Sequence, residues 1–561
     1  MNSEKRKKIP QRIYLFAIIA IIIISSWLRF TGFNWGLPQK PYYRAGYQDE
    51  SFVINLILRM DPEDFNLHYF INPSFHYYTL SIAMKIGHLF GYVKSFAQPV
   101  TTNLQGQPVE KIILADYQKL YIIGRIITVI EGVLTVLLVY LIGLKLYDKR
   151  TGLIASFIFA ILPTPVYQSH FFVVDSPALF WSNLALLYIV TATRKKHISI
   201  TWFIVSGILL GLALGTKYMN LLMVFPLIMI FLLKARKMGW KYILLSVIVM
   251  FVVFVFTTPH CLLSFRQFLF GGPDEFGGIF GAKGLFAYNN YPANPIKPFG
   301  YIFYYSLRLP LAILALLCIG YTIYRRNTAD KILLSFMAPF YLIMAISPSP
   351  HLRHSLPAMS FIALIIGSAI TGLIEQIKNR YLLYIFVCYS AGAFLFTFLF
   401  TLAMVDRMKY PDTRYEFANW MFKNVPAGTK LAAPTVMPFR YTPPIENPGY
   451  DGKEIAPQDY EVMGNLYYYM RKTNYNYKAL LQFAPEYFFI TETEYKELPY
   501  NELGKVNGRK FVSNLSNQTD YQLVKVFERK FDILGIKFEP LFPNMDWNPV
   551  SQKIYLFKKK F

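Results

Sequence analysis

The chain has 561 residues, of which 54% are hydrophobic and only 16% are charged, and its mean hydropathy is +0.32. This balance excludes an ordinary soluble domain and favours a protein that crosses a membrane several times. The net charge of +24 does not indicate nucleic-acid binding, because 20 of the 24 excess positive charges lie in the apolar residues 1–405 rather than on a basic folded module.

Apolar runs of about twenty residues, the length that crosses a bilayer as a helix, predict about eleven spans. They lie near 13–30, 119–144, 152–170, 174–193, 200–216, 218–233, 242–258, 300–324, 331–347, 356–376 and 381–405. The three cysteines, Cys261, Cys318 and Cys388, are far apart and lie in or beside these runs. They are predicted to be core residues rather than parts of a disulfide framework or a metal site.

Basic clusters separate the spans and predict their orientation. The clusters are Lys5 to Lys8, Lys145 to Arg150, Arg194 to Lys196, Lys234 to Lys241, Arg325 to Lys331, and Lys378 to Arg380. If the spans alternate in direction, every cluster falls on one side, which the positive-inside rule identifies as the cytoplasm. The sequence thus predicts a multi-pass membrane protein with a cytoplasmic N-terminus. Because the cysteines offer no disulfide framework, the plasma (inner) membrane is the predicted location.

The opposite side receives two long connections and the C-terminal residues. The first connection, 31–118, contains the adjacent carboxylates Asp49 and Glu50, and the second spans 258–299. Beyond residue 405 the charges balance, and TKLAAPT, EYFFIT, YQLVKVF and KIYLF are typical of strands between helical pieces. The predicted fold is a polytopic α-helical membrane domain over 1–405 followed by a small extracytoplasmic α/β domain over 406–561.

Two ionisable residues interrupt the apolar segments at their predicted external ends. Asp175 is the only formally charged residue between Arg150 and Arg194, and Lys217 is the only one between Lys196 and Lys234. A charge in such surroundings costs about 2.5–3.5 kcal/mol on insertion scales, so it tends to face a cavity or a partner. The external turn SPSPHLRHSLP adds further cations on the same side.

Simpler interpretations remain open for each of these residues. Asp49 and Glu50 suit a solvated loop, and on a helix they diverge by about 100°. Asp175 precedes Ser-Pro and suits a helix N-cap. Lys217 can extend its ammonium group to the membrane surface. A shared site is favoured because all four residues fall on the same side.

In this arrangement the chain resembles the polytopic GT-C glycosyltransferases that use lipid-phosphate sugars. That group includes dolichyl-phosphate-mannose protein mannosyltransferases and bacterial aminoarabinose transferases. The resemblance rests on the acidic pair Asp49-Glu50, NLHYFINPSFHYYTL at 66–80, YIIGRIITVIEG at 121–132, YQSHFFVVDSPALFW at 167–181, GILLGLALGTKYMNLLMVFP at 207–226, LRHSLPAM at 352–359 and DTRYEFANWMFKNVPAGTKL at 412–431. Tyr47 and Gln48 stand where His and Pro are common in this group.

The resemblance implies transfer of a sugar from a polyprenyl-phosphate donor to an acceptor hydroxyl on the extracytoplasmic face, with inversion. By the same resemblance, Asp49 is the general base that takes the proton of the acceptor hydroxyl. Asp175 is a second carboxylate that orients the acceptor or the sugar, and Glu50 is a further candidate. The external domain is expected to help bind the acceptor.

The resemblance also implies which residues hold the donor phosphate. Lys217 matches the group's phosphate-contacting lysine, and Arg353 with His351 supplies further cations that stabilise the departing phosphate. No metal or other cofactor is implied. The expected partners are the polyprenyl-phosphate-linked sugar, a glycan, lipid or protein acceptor, and membrane lipid, but no nucleic acid.

A multi-pass secondary transporter or flippase of a lipid or anionic substrate is the alternative function. A transporter places its ionisable groups near the membrane midplane, often at broken helices. Here they lie at the ends of the spans. Convergence of Asp49, Asp175 and Lys217 on one cavity would favour the enzyme.

Overall fold

The computed structural model of the chain forms two compact units. The helical unit comprises Met1–Thr31, Arg59–Ala83 and Gly124–Leu402, and the second unit comprises Gly32–Leu58, Met84–Ile123 and Ala403–Phe561. The structure describes residues 10–38, 45–94, 114–271, 278–280, 296–346, 352–426, 429–433, 467–470, 476–492, 507–517, 520–538 and 553–560.

Helices dominate the described residues. In chain order they are α1 (Gln11–Phe30), α2 (Gln48–Leu58), α3 (Phe75–Leu89), α4 (Leu114–Leu146), α5 (Lys149–Ile161), α6 (Pro163–Gln168), α7 (Asp175–Val190), α8 (Ile200–Thr216), α9 (Val224–Ile230), α10 (Lys241–Thr257), α11 (His260–Leu263), α12 (Phe265–Phe270), α13 (Ile296–Phe299), α14 (Leu309–Arg325), α15 (Thr328–Ile346), α16 (Leu356–Gln376), α17 (Arg380–Arg407) and α18 (Thr413–Asn424), and two more span Tyr477–Phe483 and Asn507–Ser516. Seven helical stretches among the described residues are long and apolar enough to cross a membrane, and α8, α10 and α14 are shorter apolar helices. The prediction of many membrane spans is confirmed.

Prolines break two of the predicted spans. The predicted span 152–170 is divided into α5 and α6 at Leu162, because Pro163 has no N–H to continue the hydrogen-bond ladder and occupies the first turn of α6. The predicted span 300–324 begins as a π-helical turn and restarts as α14, again with a proline, Pro310, in its first turn. Hydropathy alone does not reveal such breaks, since both sides of each break are equally apolar.

Glycines allow α8 and α10 to pack closely. Gly207, Gly211 and Gly215 follow one another at intervals of four residues, so they lie on one face of α8. A Cβ atom at Gly211 would lie only 2.6 Å from the Met250 carbonyl oxygen of α10. Small residues at this spacing let membrane helices approach closely. The packing aligns the last turn of α8 with the last turn of α10, where Gly215 faces Thr257.

The second unit contains a five-stranded mixed sheet. Its strands are β1 (Thr429–Ala432), β2 (Tyr467–Met470), β3 (Tyr487–Thr491), β4 (Tyr521–Phe527) and β7 (Ile554–Lys559), in the order β2-β1-β3-β7-β4, and β5 (Asp532–Ile533) with β6 (Ile536–Lys537) forms a separate hairpin. Strand β1 is parallel to β2 and β3, whereas β7 is antiparallel to β3 and β4. All four strands expected from the sequence are present, and β2 was not expected.

Helices cover both faces of this sheet. Alternate residues of β3 point to opposite sides, so Phe489 packs against Phe417 of α18 on one face. On the other face Phe488 packs against Phe511 of the helix Asn507–Ser516. The predicted small α/β fold of the C-terminal residues is therefore confirmed.

Candidate active site

Asp175 and Lys217 form a buried ion pair in the helical unit. Asp175 is the first residue of α7, and Lys217 follows the last residue of α8 in an extended conformation. The Lys217 Nζ donates to the Asp175 Oδ1, and the two side chains are only 11% and 3% exposed, respectively. Two residues that each stand alone among apolar neighbours in the sequence therefore meet at the ends of packed helices.

This contact decides between the interpretations that the sequence left open. The residue at the N-cap position of α7 is Val174, which makes no side-chain cap, so the N-cap interpretation of Asp175 is wrong. Lys217 is buried against a carboxylate, so its interpretation as a residue that extends to the membrane surface is also wrong. Removing two charges from water costs several kcal/mol per ion, which their mutual attraction offsets only in good geometry. A site with such a desolvation cost is a candidate for function.

Asn220 holds the turn that carries Lys217. Its side-chain amide donates to the carbonyl oxygens of Ala213 in α8 at 2.8 Å and of Ala178 in α7 at 3.1 Å. Its backbone N–H donates to the Lys217 carbonyl oxygen at 3.0 Å. One buried amide thus joins both helices of the ion pair. The sequence analysis missed this residue, whose only signal is a polar side chain three positions after Lys217.

His76 lies beside the same pair and was also missed. Its Nε2 lies 3.1 Å from the Phe172 carbonyl oxygen, so this nitrogen carries the proton and donates it. Phe172 belongs to the segment that leads into Asp175. Burial lowers the pKa of His76 to about 4, while the Phe172 hydrogen bond and the charge of Asp175 act in the opposite direction. The imidazole is therefore neutral near pH 7.

The segment before α3 is attached to the same helix ends. Phe75 packs edge to face on Trp181 of α7 with ring centroids 5.4 Å apart. The Ser74 N–H donates to the Thr258 Oγ1 at the end of α10, and the Tyr218 hydroxyl donates to the Phe70 carbonyl oxygen. These contacts place residues 70–76 of the predicted first external connection against the end of the helical unit that holds Asp175 and Lys217.

Asp49 and Glu50 lie in the second unit, in the first turn of α2. The positive end of a helix dipole favours carboxylates at this position. Glu50 is fully buried and Asp49 is half-buried, which agrees with the expectation that two adjacent side chains on a helix point in different directions. The roles assigned to both residues stay predictions.

The predicted phosphate cations of the last external turn are described only in part. Arg353 is half-buried in the 3-10 turn Leu352–Ser355 before α16, whereas His351 lies outside the described residues. A bond of 2.8 Å between the hydroxyls of Ser306 and Ser355 anchors this turn to the end of the π-helical segment Gly300–Tyr305. The parts of the chain that the structure describes hold no group of three His, Cys, Asp or Glu side chains placed for a metal ion.

The arrangement supplies a carboxylate and an ammonium group in surroundings with little water. A fixed cation in such a site stabilises negative charge that develops on a leaving group, at a strength that water would reduce. The carboxylate can accept a hydrogen bond from a hydroxyl group. These are the two functions that transfer of a group from a phosphate ester to an alcohol needs.

Comparisons with known proteins identify proteins similar to this chain. The sequence profile described as dolichyl-phosphate-mannose-protein mannosyltransferase matches residues 120–262, which include Asp175 and Lys217. The dolichyl-phosphooligosaccharide-protein glycotransferase 2 of Pyrococcus horikoshii is 26% identical over an alignment of 190 residues, and the match covers 32% of this chain. The match spans only 22% of that relative.

Solved structures share the fold. The apo oligosaccharyltransferase of Archaeoglobus fulgidus matches with a TM-score of 0.53 at 14% identity, covering 90% of this chain and 73% of that protein. The oligosaccharyltransferase AglB from Archaeoglobus fulgidus, in complex with an inhibitory peptide and a dolichol-phosphate, matches with a TM-score of 0.50 at 14% identity, covering 91% of this chain and 73% of that protein. The predicted GT-C type membrane fold and the resemblance to that glycosyltransferase group are confirmed.

Proposed function

We propose that this protein is a membrane glycosyltransferase that moves a sugar from a polyprenyl-phosphate donor to an acceptor hydroxyl, with inversion at the anomeric carbon. The observation that carries the proposal is the buried pair of Asp175 and Lys217, which lies inside the segment matched by the mannosyltransferase profile. A chain with the GT-C fold has no need of a buried ion pair there for crossing the membrane, since apolar side chains would be less costly.

In the proposed reaction the acceptor oxygen attacks the anomeric carbon from the face opposite the phosphate. Asp49 takes the proton of the acceptor hydroxyl as the new carbon–oxygen bond forms. The bond from the anomeric carbon to the phosphate oxygen breaks, and its electron pair stays on the polyprenyl phosphate. The protein thereby gains one proton on a carboxylate, and the product is an inverted glycoside.

Positively charged residues act on the leaving group in this proposal. The Lys217 ammonium, already removed from water by its pairing with Asp175, interacts with the additional charge on the departing phosphate. Asp175 holds Lys217 and accepts a hydrogen bond from the sugar or the acceptor. Arg353 and His351 supply further positive charge, and Glu50 remains a candidate second carboxylate near Asp49. No metal is assigned to the reaction.

A lipid-linked donor fits a protein of this fold. The Archaeoglobus fulgidus enzyme has been solved with a dolichol-phosphate, which supports a prenyl phosphate as the carrier for this chain also. The prenyl tail would stay in the bilayer while the sugar reaches the extracytoplasmic side of the plasma membrane, opposite the basic clusters. The expected acceptor is a glycan, a lipid or a protein.

Transfer of an oligosaccharide to a protein is the second candidate function. The name of the Pyrococcus horikoshii relative and the oligosaccharyltransferase structures favour it. The two candidates share the site and differ in the size of the donor, so one panel of donors distinguishes them.

The test measures release of free polyprenyl phosphate from purified protein with a crude envelope acceptor. The panel contains polyprenyl-phosphate monosaccharides and lipid-linked oligosaccharides, with and without a chelator. Wild type is compared with Asp49→Asn, Asp175→Asn and Lys217→Gln, and Glu63→Gln serves as the control because Glu63 is an exposed carboxylate of the same connection. We expect release by wild type and the control, a loss of at least about 10²-fold in Asp49→Asn, and no effect of the chelator.

Other outcomes would change the proposed function or the role of Asp49. Release from oligosaccharide donors alone would favour the second candidate. Equal release by wild type and Asp49→Asn would remove Asp49 as the base. Absence of release from every donor would favour the transporter or flippase, which moves its substrate without breaking the phosphate bond.

A further inference from the structure

Arg414 connects the start of the C-terminal residues to the turn that carries Asp49. It lies in the first turn of α18 in the second unit, and its side chain is only 1% exposed. Its Nε donates to both carboxylate oxygens of Asp412, at 3.0 and 3.1 Å. Its Nη2 donates to Asp412 and also to the Gly46 carbonyl oxygen at 2.6 Å, across 368 positions of sequence.

Gly46, in this turn, is closely surrounded by other residues. Its N–H donates to the Gly36 carbonyl oxygen at 2.6 Å. A Cβ atom at Gly46 would lie 2.9 Å from the Gly36 Cα and 3.1 Å from the Trp35 ring, so a larger residue would require the backbone to shift. Both hydrogen-bonding groups of the Gly46 backbone are thus engaged, one of them by Arg414.

A second set of contacts holds the other side of the turn. The Ser51 Oγ accepts from the Ala45 N–H at 3.0 Å and from the Tyr121 hydroxyl at 3.1 Å. In sequence, Asp49 lies between Gly46, which Arg414 contacts, and Ser51, which Tyr121 contacts. Its backbone is therefore fixed from two sides, while its half-buried side chain stays accessible.

Capping of α18 does not explain Arg414. The N-cap residue Asp412 already accepts from the Arg414 N–H, and this bond does not depend on the guanidinium group. A buried Arg–carboxylate pair is weak evidence for a gain in stability, because apolar residues of similar volume often replace such pairs without loss. What the planar guanidinium adds is a rigid fork that holds a carboxylate and a backbone carbonyl at once.

We infer that Arg414 is a positioning residue that fixes the conformation of residues 45–52, the turn that bears Asp49. Helix α18 thereby determines where the proposed base lies. The inference rests on the proposed function only for its catalytic consequence. The mechanical part, that Arg414 orders residues 45–52, stands without it.

Hydrogen exchange and kinetics on the full-length protein in detergent test the two parts separately. The variants are Arg414→Gln, Arg414→Lys and the matched control Arg529→Gln. Arg529 also binds a carboxylate of α18, that of Glu416, and the control leaves the Gly46 turn untouched. Lysine keeps the charge of Arg414 and lacks the fork, which supplies a milder variant if the glutamine variant does not fold.

We expect amide exchange in residues 45–52 to rise at least tenfold in Arg414→Gln and less in Arg414→Lys, with no change in Arg529→Gln. In donor cleavage we expect kcat to fall about 10- to 100-fold with KM for the donor nearly unchanged, because a small misplacement of a reacting group acts on the transition state. Partial recovery of kcat in Arg414→Lys supports a positioning role.

Each contrary result has a distinct meaning. Unchanged exchange in residues 45–52 in both Arg414 variants would overturn the inference whatever the protein's activity. Raised exchange with unchanged kcat would overturn the catalytic part and leave the proposed function intact. A wild type without donor cleavage would refute the proposed function and with it the catalytic part, while the exchange result would still decide the mechanical part.

Discussion

The ion pair of Asp175 and Lys217 allows stability and activity to be separated in one set of variants. We consider Asp175→Asn, Lys217→Met and the double variant. Each single substitution leaves one buried charge without its partner, in a position where the side chains are 3% and 11% exposed. Loss of one partner of a buried pair destabilises by about 3–5 kcal/mol, whereas loss of both charges together is often nearly neutral.

The double variant is therefore expected to be more stable than either single variant by several kcal/mol and close to wild type. Two single losses of about 3–5 kcal/mol with a double variant near zero correspond to a coupling of about 6–10 kcal/mol, above the roughly 0.5–3 kcal/mol usual for residues in direct contact, because each single variant leaves a buried charge unpaired. Equilibrium unfolding of the purified protein in detergent, followed by circular dichroism, measures these differences. Polyprenyl-phosphate release is measured on the same preparations.

The informative result is a double variant that is as stable as wild type and releases no polyprenyl phosphate. It would show that the pair is retained for its chemistry. Two single variants that each cost under about 1 kcal/mol and add in the double variant would refute the reasoning, because a pair that does not couple is not a buried pair in the folded protein. Full activity of the stable double variant would refute the assignment of Lys217 to the donor phosphate.

Three further predictions concern His76, the glycine face of α8 and Arg29. Burial lowers the pKa of His76 to about 4, so the unfolded chain binds more protons than the folded protein between about pH 6.5 and pH 4. The contribution of His76 to the free energy of unfolding should be complete above pH 6.5 and fall by about 3 kcal/mol towards pH 4. In His76→Asn, the plot of unfolding free energy against pH should be flatter over this range. Gly211→Leu should push α8 away from α10 and lower the free energy of unfolding by about 1–3 kcal/mol, which is measured as a lower midpoint of thermal unfolding. The control Gly320→Leu should change this midpoint little, because a Cβ atom at Gly320 meets no atom within 4 Å. The buried Arg29 donates to the Ala160 carbonyl oxygen at 3.3 Å, beside the break between α5 and α6. Arg29→Met should therefore raise amide exchange around that break. An unchanged exchange pattern would contradict a role of Arg29 in holding the break.

The membrane spans were predictable because they depend on local composition. A bilayer requires about twenty apolar residues with every backbone group satisfied within the segment, and this demand is visible in any window of that length. The four expected strands were predictable for a similar reason, since β-branched and aromatic residues between turn residues show the strand period. The strand β2, in the run YYYM, was not predicted from the sequence and became evident only through its pairing with β1.

The sequence also indicated which charges are unusual, but not what they contact. Asp175 and Lys217 were recognisable because each is the only charged residue in a long apolar stretch, and such a charge requires a partner. That they are partners of each other, rather than a helix cap and a surface lysine, follows from the packing of α7 on α8. His76 and Asn220 gave almost no sequence signal, since single polar residues are common near the ends of helices.

By itself, the sequence determined the class of the protein, the presence of many membrane spans and the resemblance to GT-C glycosyltransferases. These properties depend on hydropathy, residue order and short motifs, all of which are local along the chain. The tertiary structure alone decided the partners of the ionisable groups and the contact between Arg414 and Gly46, which are 368 positions apart. The physical reason is that hydrogen bonds and ion pairs act over a few ångströms in space, and the sequence separation of two residues does not determine that distance.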